Sequence, residues 1–282
     1  MRTTFLLLLL SILSTCFANP APARQAAFWF KPARATHAAD IALIRAKSDL
    51  ISTIFVYCEF TVLPDGSFGI ASNQSWFHAN WGDNTMCTPQ YFSELAGDGK
   101  RIKVQLMLSM GDAMVTSYRR AFDNPQPLVA GMLRAIQPFD ADIVTGWNID
   151  WEPCHPNSAA PGTVPADGVA FAQLLAQMKS AHAHTNRTIS VDASQWCNMT
   201  SNFGALAAAA DSVQDMGTYH ADSAENFQSK LGLTAAVPRE KLWVGLGFGE
   251  QMIKFSYETT RAGLSERFEA LASAGVQNVA MF

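Results

Sequence analysis

The stretch TGWNIDWEP, residues 145–153, sets three polar residues, Asn148, Asp150 and Glu152, at every second position, with Trp147, Ile149 and Trp151 between and around them. Side chains alternate faces along a strand, so the amide and the two carboxyls share one side and the two tryptophans and the isoleucine share the other. In an ordinary half-buried strand the apolar row faces the core and the carboxylates face water. If the tryptophans pack outward against helices, the polar row points inward instead. The rest of the chain decides between these readings.

Apolar, β-rich runs recur at residues 26–30, 51–58, 101–109, 142–152, 188–194, 212–219, 241–248 and 276–282. Between most of them lie segments with apolar residues three and four apart, as in ADIALIRAKSD, QPLVAGMLRAIQPF and DGVAFAQLLAQMKSAHAH. Thr88 followed by Pro89 predicts a helix start, and residues 97–99 its stop. Strand and helix alternating eight times predict an α/β fold, a single-domain (β/α)8 TIM barrel. An open doubly wound sheet is the rival, but Phe30 is followed by KPARATHA, without the glycine-rich phosphate turn of such sheets. The run ending at Phe282 reads as the eighth strand, with no eighth helix after it in the sequence: either the chain is a truncated form or the barrel closes without that helix.

The chain has 282 residues, 49% hydrophobic and 16% charged, with a formal charge of −4. This composition supplies a large core and argues against nucleic acid as a partner. Arg2 precedes the run FLLLLLSIL and then small residues, the order of a secretory signal peptide. Cleavage is expected after Ala18, with Ala21 or Ala23 as later options, leaving a domain from residue 24 that is secreted or luminal, away from the membrane and monomeric. Removing Cys16 with this leader leaves Cys58, Cys87, Cys154 and Cys197, an even number that favours two disulfides. Of the three possible pairings, Cys58 with Cys87 and Cys154 with Cys197 would each tie neighbouring loops. No metal site is expected from the cysteine spacing. Sequons stand at Asn73, Asn186 and Asn198.

In a barrel, chemistry sits at the C-terminal ends of the strands. Glu152 then lies at the mouth, with Asp150 and Asn148 successively deeper. Buried polar residues in such a place form either a structural network or a reactive site. At these residues the sequence resembles the family 18 glycoside hydrolases, which include chitinases and endo-β-N-acetylglucosaminidases. Their fourth-strand signature Asp-Gly-x-Asp-x-Asp-x-Glu aligns with Thr145, Gly146, Trp147, Asn148, Ile149, Asp150, Trp151 and Glu152. LSMGD (108–112) is similar to the family's third-strand Ser-x-Gly-Gly, MGTYH (216–220) to its sixth-strand Met-x-Tyr region, and KLWVGLGFG to its seventh strand.

The resemblance implies a substrate-assisted retaining mechanism without a cofactor, acting on a carbohydrate that contains N-acetylglucosamine. Glu152 is then the general acid, Asp150 orients the substrate's acetamido group, and Tyr219 donates a hydrogen bond to its oxygen. Two departures stand out. Thr145 replaces the first motif aspartate, and Asn148 replaces the second, so it cannot share a negative charge with Asp150. His220 stands where the family often has aspartate. Trp76, Phe77 and Trp81 in the long loop of residues 59–87, together with Trp196 and Met216, are candidate cleft residues, and Phe282 aligns with the tryptophan that floors the family's sugar site. Trp29 and Trp243 read as barrel packing. A sugar-binding, catalytically silent lectin is the second reading, favoured by Thr145 and Asn148. A third, a barrel using Asp150 and Glu152 as metal ligands, predicts histidines at strand ends, and only His220 qualifies.

Overall fold

The computed structural model describes residues 25–32, 36–70, 84–99, 101–109, 114–151, 165–193, 202–221, 223–247 and 261–281. Among these residues nine strands form one sheet: β1 (Gln25–Phe30), β2 (Ile51–Val62), β3 (Phe68–Ile70), β4 (Lys103–Ser109), β5 (Val144–Asp150), β6 (Thr188–Ala193), β7 (Ser212–Asp215), β8 (Leu242–Leu246) and β9 (Asn278–Met281). Eight of them are parallel and close on themselves, because β1 pairs with both β9 and β2. The ninth, β3, runs antiparallel to the end of β2. The expected TIM barrel is therefore present, with one hairpin added.

The helices among the described residues are α1 (His37–Ala46), α2 (Pro89–Ala96), α3 (Met114–Asp123), α4 (Gln126–Ile136), α5 (Pro165–His182), α6 (Phe203–Ala209), α7 (Ala224–Leu233) and α8 (Arg261–Ser273). Thr88 caps α2 as expected: its hydroxyl accepts from the Tyr91 amide, and Gly97 ends the helix at φ 71°. The short helices α3 and α6 are additions to the sequence reading.

The outer faces of the strands form the main core. Trp147 is enclosed edge-on by Phe60 and Phe68, at 5.4 and 5.7 Å between ring centroids. The hairpin that carries Phe68 thus covers the outside of β5. Trp151 stacks on Tyr118 of α3 at 4.9 Å and meets Phe171 of α5 at 4.6 Å. Both tryptophans are fully buried, which at about 25 cal/mol per Å2 of apolar surface is a several-kcal/mol reason for this face of β5 to point outward. The opposite row, with Asn148 and Asp150, is left no side but the interior.

β2 is longer than its sequence pattern suggested. Residues 59–62, read as the start of a loop, continue the strand through an irregularity between Tyr57 and Phe60, where buried Glu59 adopts φ 61°. Cys58 at this bulge is bonded to Cys87, just before α2, as the sequence reading expected. At the other end of the barrel, Arg187 donates to the carbonyls of Val144 and Phe139, which fixes the start of β5 against β6. No helix among the described residues is long and apolar enough to cross a membrane.

Candidate active site

The barrel interior is divided into two arcs. One is apolar: Ala27, Phe55, Tyr57, Met107, Trp243 and Ala280 pack together, with Trp29 against them. The other is polar, built from β5, β6 and β7 with Gln105 of β4. Side-chain alternation explains both, since every second residue of each strand faces inward.

Asn148 lies at the centre of the polar arc and is fully buried. Its Nδ2 donates to Asp192 Oδ1 at 2.9 Å and to Ser190 Oγ at 3.0 Å, with Gln214 Oε1 at 3.4 Å. Ser190 in turn donates to Gln105 Oε1, and Gln105 Nε2 donates to Thr188 Oγ1. These bonds offset the cost of enclosing polar groups. Gly146 permits the close approach of β5 and β6 that the network needs: a Cβ there would stand 2.0 Å from the Thr188 carbonyl oxygen.

Asp150 lies one step nearer the mouth, opposite Asp192 in the β5–β6 register. It is half-buried as a residue, but its Oδ1 is enclosed and has no hydrogen-bond partner among the described residues. Burial pushes the Asp150 carboxyl up to about 7. Asp192, fully buried, is raised well above the ordinary carboxylate range by burial and then by the neighbouring charge of Asp150; its bonds from Asn148 and Trp29 oppose the rise. Tyr118, behind β5, is raised by burial and by the same Asp150 charge.

Trp29 reaches this group from the far side of the chain's order. Its Nε1 donates to Asp192 Oδ2 at 2.9 Å, and its ring packs against Met216 and Tyr219. The sequence reading assigned Trp29 to barrel packing alone; its ring does pack on Phe55 at 5.5 Å, but its N–H belongs to the polar arc. Tyr219 is buried beside Met216, in a turn held by Thr218 Oγ1, which donates to the carbonyls of Asp215 and Gly245. Gly245 leaves room for the tyrosine ring, as a Cβ there would meet Tyr219 Cδ1 at 3.2 Å and the Asp215 carbonyl oxygen at 2.4 Å.

The structure thus brings together Asn148, Asp150, Met216 and Tyr219 among the expected site residues, and adds Asp192, Trp29, Ser190 and Gln214. Thr145, in place of a carboxylate, sits at the lower end of β5, where its carbonyl accepts from Thr188 Oγ1. Glu152, Trp76, Phe77, Trp81, Trp196, Phe282, Cys154, Cys197, Asn73 and Asn198 lie outside the described residues, as does the expected leader. Asn186 is exposed, in a left-handed turn before β6. Among the described residues, no group of three or more histidines, cysteines and carboxylates is arranged to hold a metal ion.

The sequence matches no protein-family model, and no curated protein matches it by sequence. Solved structures do match its fold. A chitinase from Chromobacterium violaceum superposes with a TM-score of 0.67 at 12% identity, over 92% of this chain and 94% of that one. A chitinase from Bacteroides thetaiotaomicron gives 0.65 at 12% identity, over 92% and 89%. The spore cortex-lytic enzyme SleL of Bacillus cereus gives 0.61 at 11% identity, over 92% and 70%. At these identities the likeness is one of fold, a chitinase-like TIM barrel.

Proposed function

We propose that this chain is a secreted glycoside hydrolase that cleaves β-1,4 bonds next to N-acetylglucosamine, in chitin-type oligomers or the chitobiose core of N-glycans, by a substrate-assisted retaining mechanism. The observation that carries the reading is Asp150: a carboxyl at the C-terminal end of a barrel strand, with an enclosed oxygen lacking a partner among the described residues, beside Asp192, which the Trp29–Met216–Tyr219 group reaches through the Trp29 indole. The chitinase-like fold agrees with it.

In this reading Glu152, two residues beyond Asp150 in sequence, gives its proton to the glycosidic oxygen as the bond from that oxygen to C1 breaks. The carbonyl oxygen of the substrate's acetamido group bonds to C1, forming an oxazolinium ion. Asp150 accepts from the acetamido N–H and stabilises the positive charge, and Tyr219 donates to the acetamido oxygen. The Glu152 carboxylate then takes a proton from water, whose oxygen attacks C1 and restores the acetamide. The sugar supplies the nucleophile, so the protein's carboxylates can come from one strand.

A sugar-binding protein without turnover is the second reading, favoured by Asn148 in place of a carboxylate. Hydrolysis of a fluorogenic chitotrioside and of a labelled high-mannose glycopeptide, with Glu152→Gln as control, separates the two. Release from either substrate that is lost in the variant supports the hydrolase and selects its substrate. Retention on a chitin column with no release from either favours the binding protein.

A further inference from the structure

A carboxyl that steadies an incoming acetamido group, then the positive ion it becomes, and is afterwards left empty in a buried site must change its share of a proton through the cycle. It does so with least cost when a second group takes up and returns that proton. Asn148, two residues before Asp150 on the same strand, has an amide that neither gains nor loses a proton in the working pH range.

The neighbouring strand offers a group that does. Asp192 stands opposite Asp150 in the parallel register of β5 and β6, where adjacent strands run about 4.8 Å apart. Asp192 is fully buried, and its two oxygens are held from different sides of the barrel by Asn148 Nδ2 and Trp29 Nε1, both at 2.9 Å. Asn148 is a donor to this second carboxyl, and its orientation follows from that: turned the other way, its Oδ1 would face the oxygens of Asp192, Ser190 and Gln214. None of the ion pairs among the described residues involves Asp150 or Asp192. Among the described residues, Trp29 from β1 and Asn148 on β5 donate to Asp192, Gln214 of β7 lies beyond Asn148, and the Tyr118 phenol behind β5 responds to the Asp150 charge; all four are neutral. Asp215 of β7 accepts instead from the Gly217 amide.

We infer that Asp192 is the proton partner of Asp150, the two carboxyls forming a cross-strand dyad that holds one proton between them and does from β6 what a carboxylate at position 148 would do from β5. Asp192 is a positioning residue: it acts on the sugar only through Asp150. When the acetamido group is in place the proton rests on Asp192 and Asp150 carries the charge. When the site empties the proton is shared again. Only O–H bonds change, and the pair keeps a total charge of −1. The assignment of the acetamido group rests on the hydrolase reading above; the dyad does not.

The test is the carboxyl 13C titration of the folded chain labelled at aspartate, followed from pH 3 to 10, with kinetics on the fluorogenic chitotrioside. The wild type should show two coupled transitions, the upper one well above the ordinary aspartate range. In Asp192→Asn the upper transition should disappear and a single Asp150 transition should lie between the two of the wild type, because the shared proton no longer eases the first ionisation and the like charge no longer hinders the second. kcat should fall at least tenfold, KM should stay within threefold, and the pH profile should move with the Asp150 transition. Moving the carboxyl, in Asn148→Asp with Asp192→Asn, should recover at least a third of the lost kcat. A wild type whose aspartates all titrate in the ordinary range overturns the dyad, with no variant needed. So does an Asp192→Asn variant with unchanged kcat and pH profile, or a folded double variant with no recovery. A wild type that shows the raised pair but hydrolyses neither sugar supports the dyad and overturns the hydrolase reading.

Discussion

Trp29 and Asp192, 163 residues apart in sequence, are joined by one hydrogen bond from the indole Nε1 to Oδ2. The bond links the first strand of the barrel to the polar arc on its opposite side. It also favours the charged form of a carboxyl that burial pushes toward the neutral one.

Trp29→Phe removes that donor and keeps most of the ring. The expected result is a further rise of the Asp192 transition in carboxyl 13C titration, and a loss of about 1–3 kcal/mol in urea unfolding, the ordinary cost of a broken buried bond. An unmoved transition would show that the indole N–H does not govern this carboxyl.

Asp150 makes stability depend on pH. Its folded-state value of about 7 lies above the ordinary 3.8, so between these values the folded chain binds more protons than the unfolded one. Stability from this group therefore falls as pH rises from about 4 to about 7, then levels off. Asp150→Asn removes that dependence: thermal melts should show little difference from wild type at pH 4 and a higher Tm for the variant at pH 8. Hydrolysis should fall at least a hundredfold at both, in line with the loss of a group that stabilises the transition state.

Gly146→Ala tests the fit of β5 against β6. With the Thr188 carbonyl oxygen 2.0 Å from the added Cβ, the strands must separate and the Asn148 bonds must lengthen. A loss of at least about 3 kcal/mol is expected, at the upper end for overpacking, or failure to accumulate as soluble protein. A variant that unfolds at the wild-type urea concentration would mean that the strands are not so closely paired.

The Cys58–Cys87 bond closes 29 residues. A chain-entropy treatment gives a loop of this size about 3–4 kcal/mol. Cys58→Ser with Cys87→Ser should lower stability by that order while leaving kcat within twofold at temperatures where the variant is folded. Equal unfolding midpoints with and without reductant would remove the bond from the list of stabilising features.

Residues 145–153 made the barrel legible because two large apolar rings on one face need helices to bury them, and only one side of a barrel strand has helices. The position of Asp192 was available in the same way. In TISVDAS it alternates with Val191 and Ala193, so once that strand was placed, its carboxyl had to face inward with Ser190. What sequence alone does not convey is which inward groups meet across the interior. Trp29 and Asp192 touch because the sheet closes, and closure is a relation between strands that no local pattern encodes. The hairpin was hidden for a different reason: Glu59 in a left-handed conformation breaks the alternation of β2 where the strand continues. The helices α3 and α6 escaped notice because one follows the third barrel strand without a clear start signal and the other is a short alanine-rich run with little contrast between faces.

The closing pairing of β1 with β9 has a consequence for synthesis. Ala26 is made early and its partner Val279 late, so the growing chain exposes an open strand edge until almost the whole barrel has left the ribosome. Asn148 meanwhile waits for Ser190, Asp192 and Gln214, all of which are translated after it. The interior network can therefore be completed only after β5, β6 and β7 have all been made and paired in register.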